Sequence, residues 1–307
     1  MLKTVRHASA NLPDSSEEDL DDDDLYVPHQ HLTRSGCVSL FGTEVDFEGL
    51  DCFAASVSFI LAVEVAAFII RKLVSLDTPS VIQRLILEFI ATFELCACCY
   101  ELATLADAYG IVHYGVGLFL LTFWWSTQWK EETACPSTII VQLLFDKAFS
   151  FSEALLRLLV QVASGLSVFR VVSLFWNLHW SHEHYTKSKQ ISCVTDLQVD
   201  PTKGMIIEGV GTALCVLSSS FLASTQLRIS GVVDSFIATA AVVAAFNYSG
   251  GYFNPILASS LKLFCDGTTT QDHFMVYWIG ATIGAVIAVI MTKVNFRTPK
   301  KKATKED

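Results

Sequence analysis

A proline break occurs twice in this chain, each time at nearly the same distance from the same short pattern. Glu88-Phe89-Ile90-Ala91-Thr92 and Glu208-Gly209-Val210-Gly211-Thr212 both read Glu-x-x-small-Thr, near the start of an apolar segment. Cys135-Pro136 follows Glu88 by 47 residues, and Asn254-Pro255 follows Glu208 by 46. Proline fixes the backbone for the first turn of a new helix, and Asn254 is suited to cap the second one. The stretch before Asn254, Gly250 to Phe253, is too polar and Gly-rich to run through lipid as helix, so its backbone groups need protein or water around them. Ile256 to Phe264 then offers only about two turns of helix, far short of the ~20 residues of a span. Each half reads as helix, helix, break, half-helix, helix. Three spans per half invert the second half relative to the first.

The surrounding chain is oily enough for this reading. Of 307 residues 52% are hydrophobic and the mean hydropathy is +0.45, which fits a polytopic membrane protein. Six segments carry the pattern of spans, at 81–106, 111–130, 153–176, 204–224, 231–249 and 274–293. A seventh apolar segment, Cys52 to Ile70, ends in Arg71-Lys72 and contains Glu64. A central acid costs about 3 kcal/mol on insertion scales, so this segment either spans or lies at the interface. No secretory signal peptide is apparent, because the first apolar segment lies behind an acidic region. The net charge of -10 is mostly local, since Asp14, Glu17, Glu18, Asp19 and Asp21 to Asp24 supply eight of the negative charges. Nothing here is a basic patch for nucleic acid. The expected domains are an acidic disordered tail (1–48), an additional apolar helix (49–78), a channel domain (79–295) and a basic tail (296–307). Lys300, Lys301 and Lys302 make the C-terminus cytoplasmic by the positive-inside rule, and Arg71, Lys72 and Arg84 fall on the same side; Lys187, Lys189 and Lys203 do not.

Inverted repeats with one broken helix each bring two half-helix N-termini together near the midplane. Both positive dipole ends then point into one small volume, which disfavours cations and protons and admits neutral solutes. The expectation is a pore for uncharged molecules, with no cofactor. Glu88 and Glu208 are intramembrane carboxylates that need partners. Their matching repeat positions favour a structural role, accepting hydrogen bonds from the broken loop of their own half, over a proton relay. Glu94 and Glu101 have no repeat counterparts.

These residues resemble the aquaporins, and within them the divergent superaquaporin branch of aquaporin-11 and aquaporin-12. The family hallmark is a pair of Asn-Pro-Ala motifs. Asn254-Pro255-Ile256 matches the second, and Cys135-Pro136-Ser137 stands where the first belongs. Further likeness lies in Phe253-Asn254-Pro255 followed by Leu257-Ala258, and in Val276-Tyr277-Trp278. The resemblance covers about residues 80 to 295. It implies an all-α, aquaporin-like six-helix bundle with two re-entrant half-helices, assembled as a homotetramer among membrane lipid. For this branch it also implies an intracellular membrane, namely the endoplasmic reticulum. The family's selectivity filter carries over to Val242, Gly251 and Leu257, with Gly115 and Phe119 as candidates for the fourth position. Leu257 replaces the usual arginine and Val242 the histidine of water-selective members, so the constriction is expected to be wider and more apolar. Cysteine offers only a weak S–H, which makes the Cys135 side less polar than the Asn254 side. Water, glycerol and hydrogen peroxide are the implied solutes. The second reading is a non-conducting scaffold of the same fold whose acidic tail recruits partners. No organised nucleophile, metal set or acid–base pair supports an enzyme.

Several other signals are set aside. The nine cysteines are odd in number and lack metal spacing, so a disulfide framework is not expected. His179, His182 and His184 do not share one helix face, which argues against a metal site. Trp124, Trp125 and Trp129 look like interfacial anchors at the end of a span. Asn247-Tyr248-Ser249 is a formal glycosylation sequon beside the break, where a glycan would block packing. Ser15 and Ser16 precede the acidic run and are read as part of a solvated tail.

Overall fold

The computed structural model describes residues 39–40, 43–44, 51–74, 80–225 and 227–295. Most of the tail 1–48, with Ser15 and Ser16, lies outside the described residues, as does the basic tail 296–307. Within the N-terminal unit, β1 (Ser39–Leu40) pairs antiparallel with β2 (Thr43–Glu44), and Ser39 stands opposite Glu44. The remaining architecture belongs to the unit that begins at Phe47.

That unit is helical. Its elements are α1 (Cys52–Val74), α2 (Val81–Tyr109), α3 (Ile111–Gln128), α4 (Pro136–Val141), α5 (Phe151–Trp176), α6 (His182–Lys189), α7 (Pro201–Thr225), α8 (Ser230–Ser249) and α9 (Pro255–Lys262). A last rod joins α10 (Thr270–His273) through a π-helical stretch to α11 (Ala281–Asn295). The helices Cys52–Val74, Phe151–Trp176, Pro201–Thr225, Ser230–Ser249 and Thr270–Val294 are long and apolar enough to cross a membrane. Helix α2 is longer than any of these at 29 residues, but it carries Arg84, Glu88, Glu94 and Glu101. All six core segments read from the sequence are helices, and α4 and α9 are the two half-helices. Their starts follow from local chemistry. Ser80 and Gln83 form a reciprocal capping box on α2, with Ser80 Oγ accepting from Gln83 N at 3.2 Å. Ser150 Oγ accepts from Glu153 N at the start of α5.

Close backbone approach fixes α7 against α11. A Cβ at Gly284 would collide with the carbonyl oxygen of Gly209, and one at Gly280 would lie 2.7 Å from Met205 O. Small residues at such a crossing let helices associate where lipid offers no hydrophobic contrast.

Helix α1 runs antiparallel to α2 along its whole length. Phe53 N donates to Tyr109 Oη at one end, Cys98 Sγ to Glu64 Oε1 in the middle, and Arg71 pairs with Glu94 at the other. The tryptophans expected at the interface direct their N–H groups to this seam. Trp124 Nε1 and Trp125 Nε1 each donate to Glu64 at 2.8 Å, and Trp129 Nε1 donates to Glu94 at 3.1 Å. A carboxylate left unpaired in hydrocarbon costs far more than a surface anchor gains, which explains where the indole N–H groups go. Glu101 is held the same way, by Trp176 Nε1 at 2.7 Å and His184 Nε2 at 2.9 Å. Among the described residues no cluster of His, Cys, Asp and Glu is arranged to hold a metal.

The expectation of no disulfide is corrected. Cys193 and Cys265, 72 residues apart, are bonded and tie the loop before α7 to the segment after α9. Backbone bonds flank the bridge, from Thr195 N to Asp266 O and from Asp266 N to Cys193 O. Both cysteines sit in polar connecting segments at the same end of the bundle, a proximity that sequence spacing does not carry.

Candidate functional site

The two breaks adopt almost the same backbone. Cys135 has φ -146° and ψ 115°, and Asn254 has φ -144° and ψ 113°. The residue before each is left-handed, Ala134 at φ 47° and Phe253 at φ 49°. Non-glycine residues rarely adopt this conformation, and its repetition at equivalent places means that surrounding contacts impose it. The imposing groups are the two buried glutamates. Glu88 Oε1 accepts from Ala134 N at 2.8 Å, Thr133 N at 3.1 Å and Thr133 Oγ1 at 3.0 Å. Glu208 accepts from Phe253 N at 2.6 Å, Tyr252 N at 3.1 Å and Ser249 Oγ at 2.6 Å. Thr92 Oγ1 and Thr212 Oγ1 each donate to the carbonyl oxygen of the glutamate four residues earlier, so the whole Glu-x-x-small-Thr pattern is repeated in three dimensions.

Among the described residues, two partners of Glu88 have no counterpart around Glu208. Gln161 Nε2 donates to Glu88 Oε1 at 2.7 Å, and Arg157 Nη1 lies 3.5 Å from Glu88 Oε2. Both come from α5, one turn apart. Their i, i+4 spacing puts them on one helix face, and a polar pair at that spacing in an apolar segment is a signal that reading for motifs passed over.

The half-helices meet at their N-termini. Asn254 Oδ1 accepts from Ile256 N at 3.1 Å and Leu257 N at 3.4 Å, while its Nδ2 donates to Ala134 O at 2.8 Å across the repeat. Cys135 occupies the same position on α4 and makes no side-chain cap. One dipole end is therefore capped by a polar side chain and the other by none. Pro136 and Pro255 are both buried at the first helical turn. Ser137 Oγ lies 3.1 Å from Thr282 Oγ1 of α11, and Ile256 packs against α5 where a Cβ at Gly165 would stand 2.7 Å from its Cγ1.

The remaining filter positions are distributed unevenly. Gly251, at φ 63°, lies against α8 so closely that a Cβ would be 2.7 Å from Val242 O, which makes these two residues neighbours. Leu257 is 8% exposed and belongs to a buried apolar cluster that includes Cys96 and Cys99 of α2 and Val168, Val172 and Phe175 of α5. A cavity of about 850 Å³ opens at the end of the bundle that carries the disulfide. Tyr114, Phe246, Gly250 and Tyr252 line it; Val242, Gly251 and Leu257 do not. Tyr114 and Phe246 meet edge to face with ring centroids 5.0 Å apart. Gly115 instead points to α8, with its Cβ position 3.2 Å from Val243 Cγ2, and Phe119 meets Phe236.

No family model matches the chain. Curated relatives do. Aquaporin-11 of Milnesium tardigradum is 29% identical over 210 residues, covering 68% of this chain and 76% of the relative. Aquaporin-11 of Mus musculus is 29% identical over 242 residues, covering 76% and 85%. Aquaporin-12 of Mus musculus is 27% identical over 206 residues, covering 64% and 70%. Among solved structures, the aquaglyceroporin from Plasmodium falciparum superimposes with a TM-score of 0.52 at 16% identity, over 69% of this chain and 96% of that one, which is a likeness of fold. With two half-helices set by matched glutamates and relatives that agree over most of the length, the chain has an aquaporin-like fold and is similar in sequence to aquaporin-11 and aquaporin-12.

Proposed function

We propose that this protein is a passive channel for water and small uncharged solutes, with glycerol and hydrogen peroxide among them, and that its constriction is atypical. The observation that carries this reading is the meeting of two half-helix N-termini, joined by Asn254 Nδ2 and Ala134 O and capped by a side chain on one half alone. A converging pair of positive dipole ends repels cations and leaves neutral acceptors. Replacing an asparagine by Cys135 removes two N–H donors from one wall, and Val242, Gly251 and Leu257 supply no cationic side chain to the filter. Such a constriction discriminates less sharply between water and larger neutral solutes. Glu88 and Glu208 are assigned a structural role, because each accepts hydrogen bonds from the loop of its own half.

The packing of Leu257 among α2 and α5 side chains favours one alternative, a pore closed by apolar contacts and a protein that serves as a membrane scaffold. Stopped-flow light scattering on purified protein in liposomes separates the two. Flux of water, glycerol or peroxide above protein-free liposomes supports the channel, and no flux from intact oligomers refutes it. The proposed setting is the endoplasmic reticulum membrane, as a homotetramer with a cytoplasmic C-terminus. The Cys193–Cys265 bridge then faces the oxidising lumen. With α1 counted as a span, a tag at Met1 is luminal and resists protease in intact microsomes; cleavage from the cytosolic side overturns this topology.

A further inference from the structure

At the end of the bundle where α1 stops, the ends of four helices surround a cavity of about 200 Å³. It is bounded by the end of α1, the start of α2, the residues after α3 and the start of α5. Its lining is mixed in a specific way. Arg71, Lys72, Arg84, Lys130 and Arg157 bring five cations, against Glu131 and Glu132, while Phe68 and Leu87 supply apolar wall. Several of these cations have fixed partners. Arg71 pairs with Glu94 and Arg84 with Glu153 at 2.8 Å, so their carboxylates balance part of the charge. Arg157 is 4% exposed, reaches Glu88, Glu131 O and Glu153 through its terminal nitrogens at 3.3 to 3.5 Å, and has no acceptor for its buried Nε–H. Lys130 is exposed at the rim and forms no ion pair among the described residues.

We propose that this cavity binds the phosphate of an anionic phospholipid, in the leaflet at the end of the bundle where α1 terminates. Lys72, Lys130 and Arg157 bring cationic groups to the cavity lining, and a phosphate is an anion that such groups hold by charge-assisted hydrogen bonds. Two further features point to lipid rather than to a free anion. The cavity lies at the ends of spanning helices, the depth at which headgroups sit, and Phe68 and Leu87 offer acyl carbons an apolar wall beside the cations. The same end also carries the basic excess that the positive-inside rule assigns to the cytoplasmic leaflet, where anionic lipids concentrate. This site stands apart from the pore and holds whether or not the pore conducts.

The test uses the full chain in nanodiscs, of phosphatidylcholine alone or with a minority of phosphatidylserine, followed by thermal unfolding and by mass analysis of the lipid retained after delipidation. The wild type is expected to retain phosphatidylserine selectively and to unfold roughly 5 °C higher in its presence. Lys72→Gln with Lys130→Gln, one lysine on the wall and one at the rim, is expected to weaken retention by about fivefold per lysine while unfolding normally in phosphatidylcholine. Lys187→Gln with Lys189→Gln, at the opposite end, is the control and keeps full retention. Equal retention by both double variants overturns the site, as does an absence of phosphatidylserine selectivity in the wild type. The same thermal shift from inorganic phosphate in phosphatidylcholine discs overturns the lipid assignment and leaves a soluble-anion site.

Discussion

Exchanging the residues at the two N-cap positions tests how far the half-helices are equivalent. Asn254 Oδ1 holds Ile256 N and Leu257 N, and Nδ2 holds Ala134 O. Asn254→Cys removes the cap, worth about 1 kcal/mol, and one cross-repeat hydrogen bond, worth about 1 kcal/mol more. The reciprocal Cys135→Asn meets a backbone within a few degrees of that at Asn254, with an uncapped helix ahead of it. It should gain about 1 kcal/mol by the same cap. For a protein of this size, 1 kcal/mol corresponds to roughly 3 °C in the unfolding midpoint. Thermal unfolding in one detergent should therefore place Cys135→Asn about 3 °C above the wild type and Asn254→Cys about 6 °C below it. Cys135→Asn should also raise water flux relative to glycerol flux in liposomes, because it restores donors on one wall of the constriction. A lowered midpoint for Cys135→Asn would refute the reasoning, since it would mean that the thiol, not a missing cap, is what this position requires.

Three further outcomes follow from packing and pairing. Gly284→Val forces side-chain atoms into Gly209 O and should prevent α7 and α11 from closing, read as loss of monodisperse protein in size-exclusion chromatography; a wild-type elution profile would remove close approach as the reason for glycine there. Cys193→Ser opens a 72-residue loop and should cost at most about 4 kcal/mol on the chain-entropy scale, less where the membrane already confines the unfolded helices. An unchanged midpoint under oxidising conditions, or no mobility change on reduction of the wild type, would show that the bridge does not form. Arg71→Met takes the cation from Glu94, leaving it beside Trp129 and Glu64, and should destabilise by about 3 kcal/mol, with α1 becoming the first segment exposed to protease; uniform cleavage along the chain would argue that this pair does not anchor α1.

What was legible in advance was legible because it is local or periodic. The six core helices and both half-helices follow from apolar runs and two prolines, and the inversion follows from counting spans. The seam along α1 was not legible. Glu64, Glu94 and Glu101 each look like an isolated liability in sequence, because their partners Trp125, Arg71 and Trp176 are 61, 23 and 75 residues away. The partner of Trp124 and Trp125 is hidden for the same reason, since nothing in their own neighbourhood announces a carboxylate. Tyr114, one position from Gly115, lines the cavity at the disulfide end, and no motif in its neighbourhood points to it. A helix turns about 100° per residue, so neighbouring residues point to different surroundings and packing decides which one reaches a cavity.

The sequence by itself determined that the chain is a twofold inverted repeat with one broken helix per half, because proline, glycine and hydropathy act through the backbone of the residues that carry them. It also determined that the breaks are unequal, since Cys135 lacks the amide that Asn254 has. Only the tertiary structure decided which donors Glu88 and Glu208 satisfy, that Ala134 and Phe253 take matching left-handed conformations, and that Asn254 reaches across to Ala134 O. The physical reason is that a buried polar group is stable only when its hydrogen bonds are complete, and partners that complete them 40 or more residues away exist once the helices have packed.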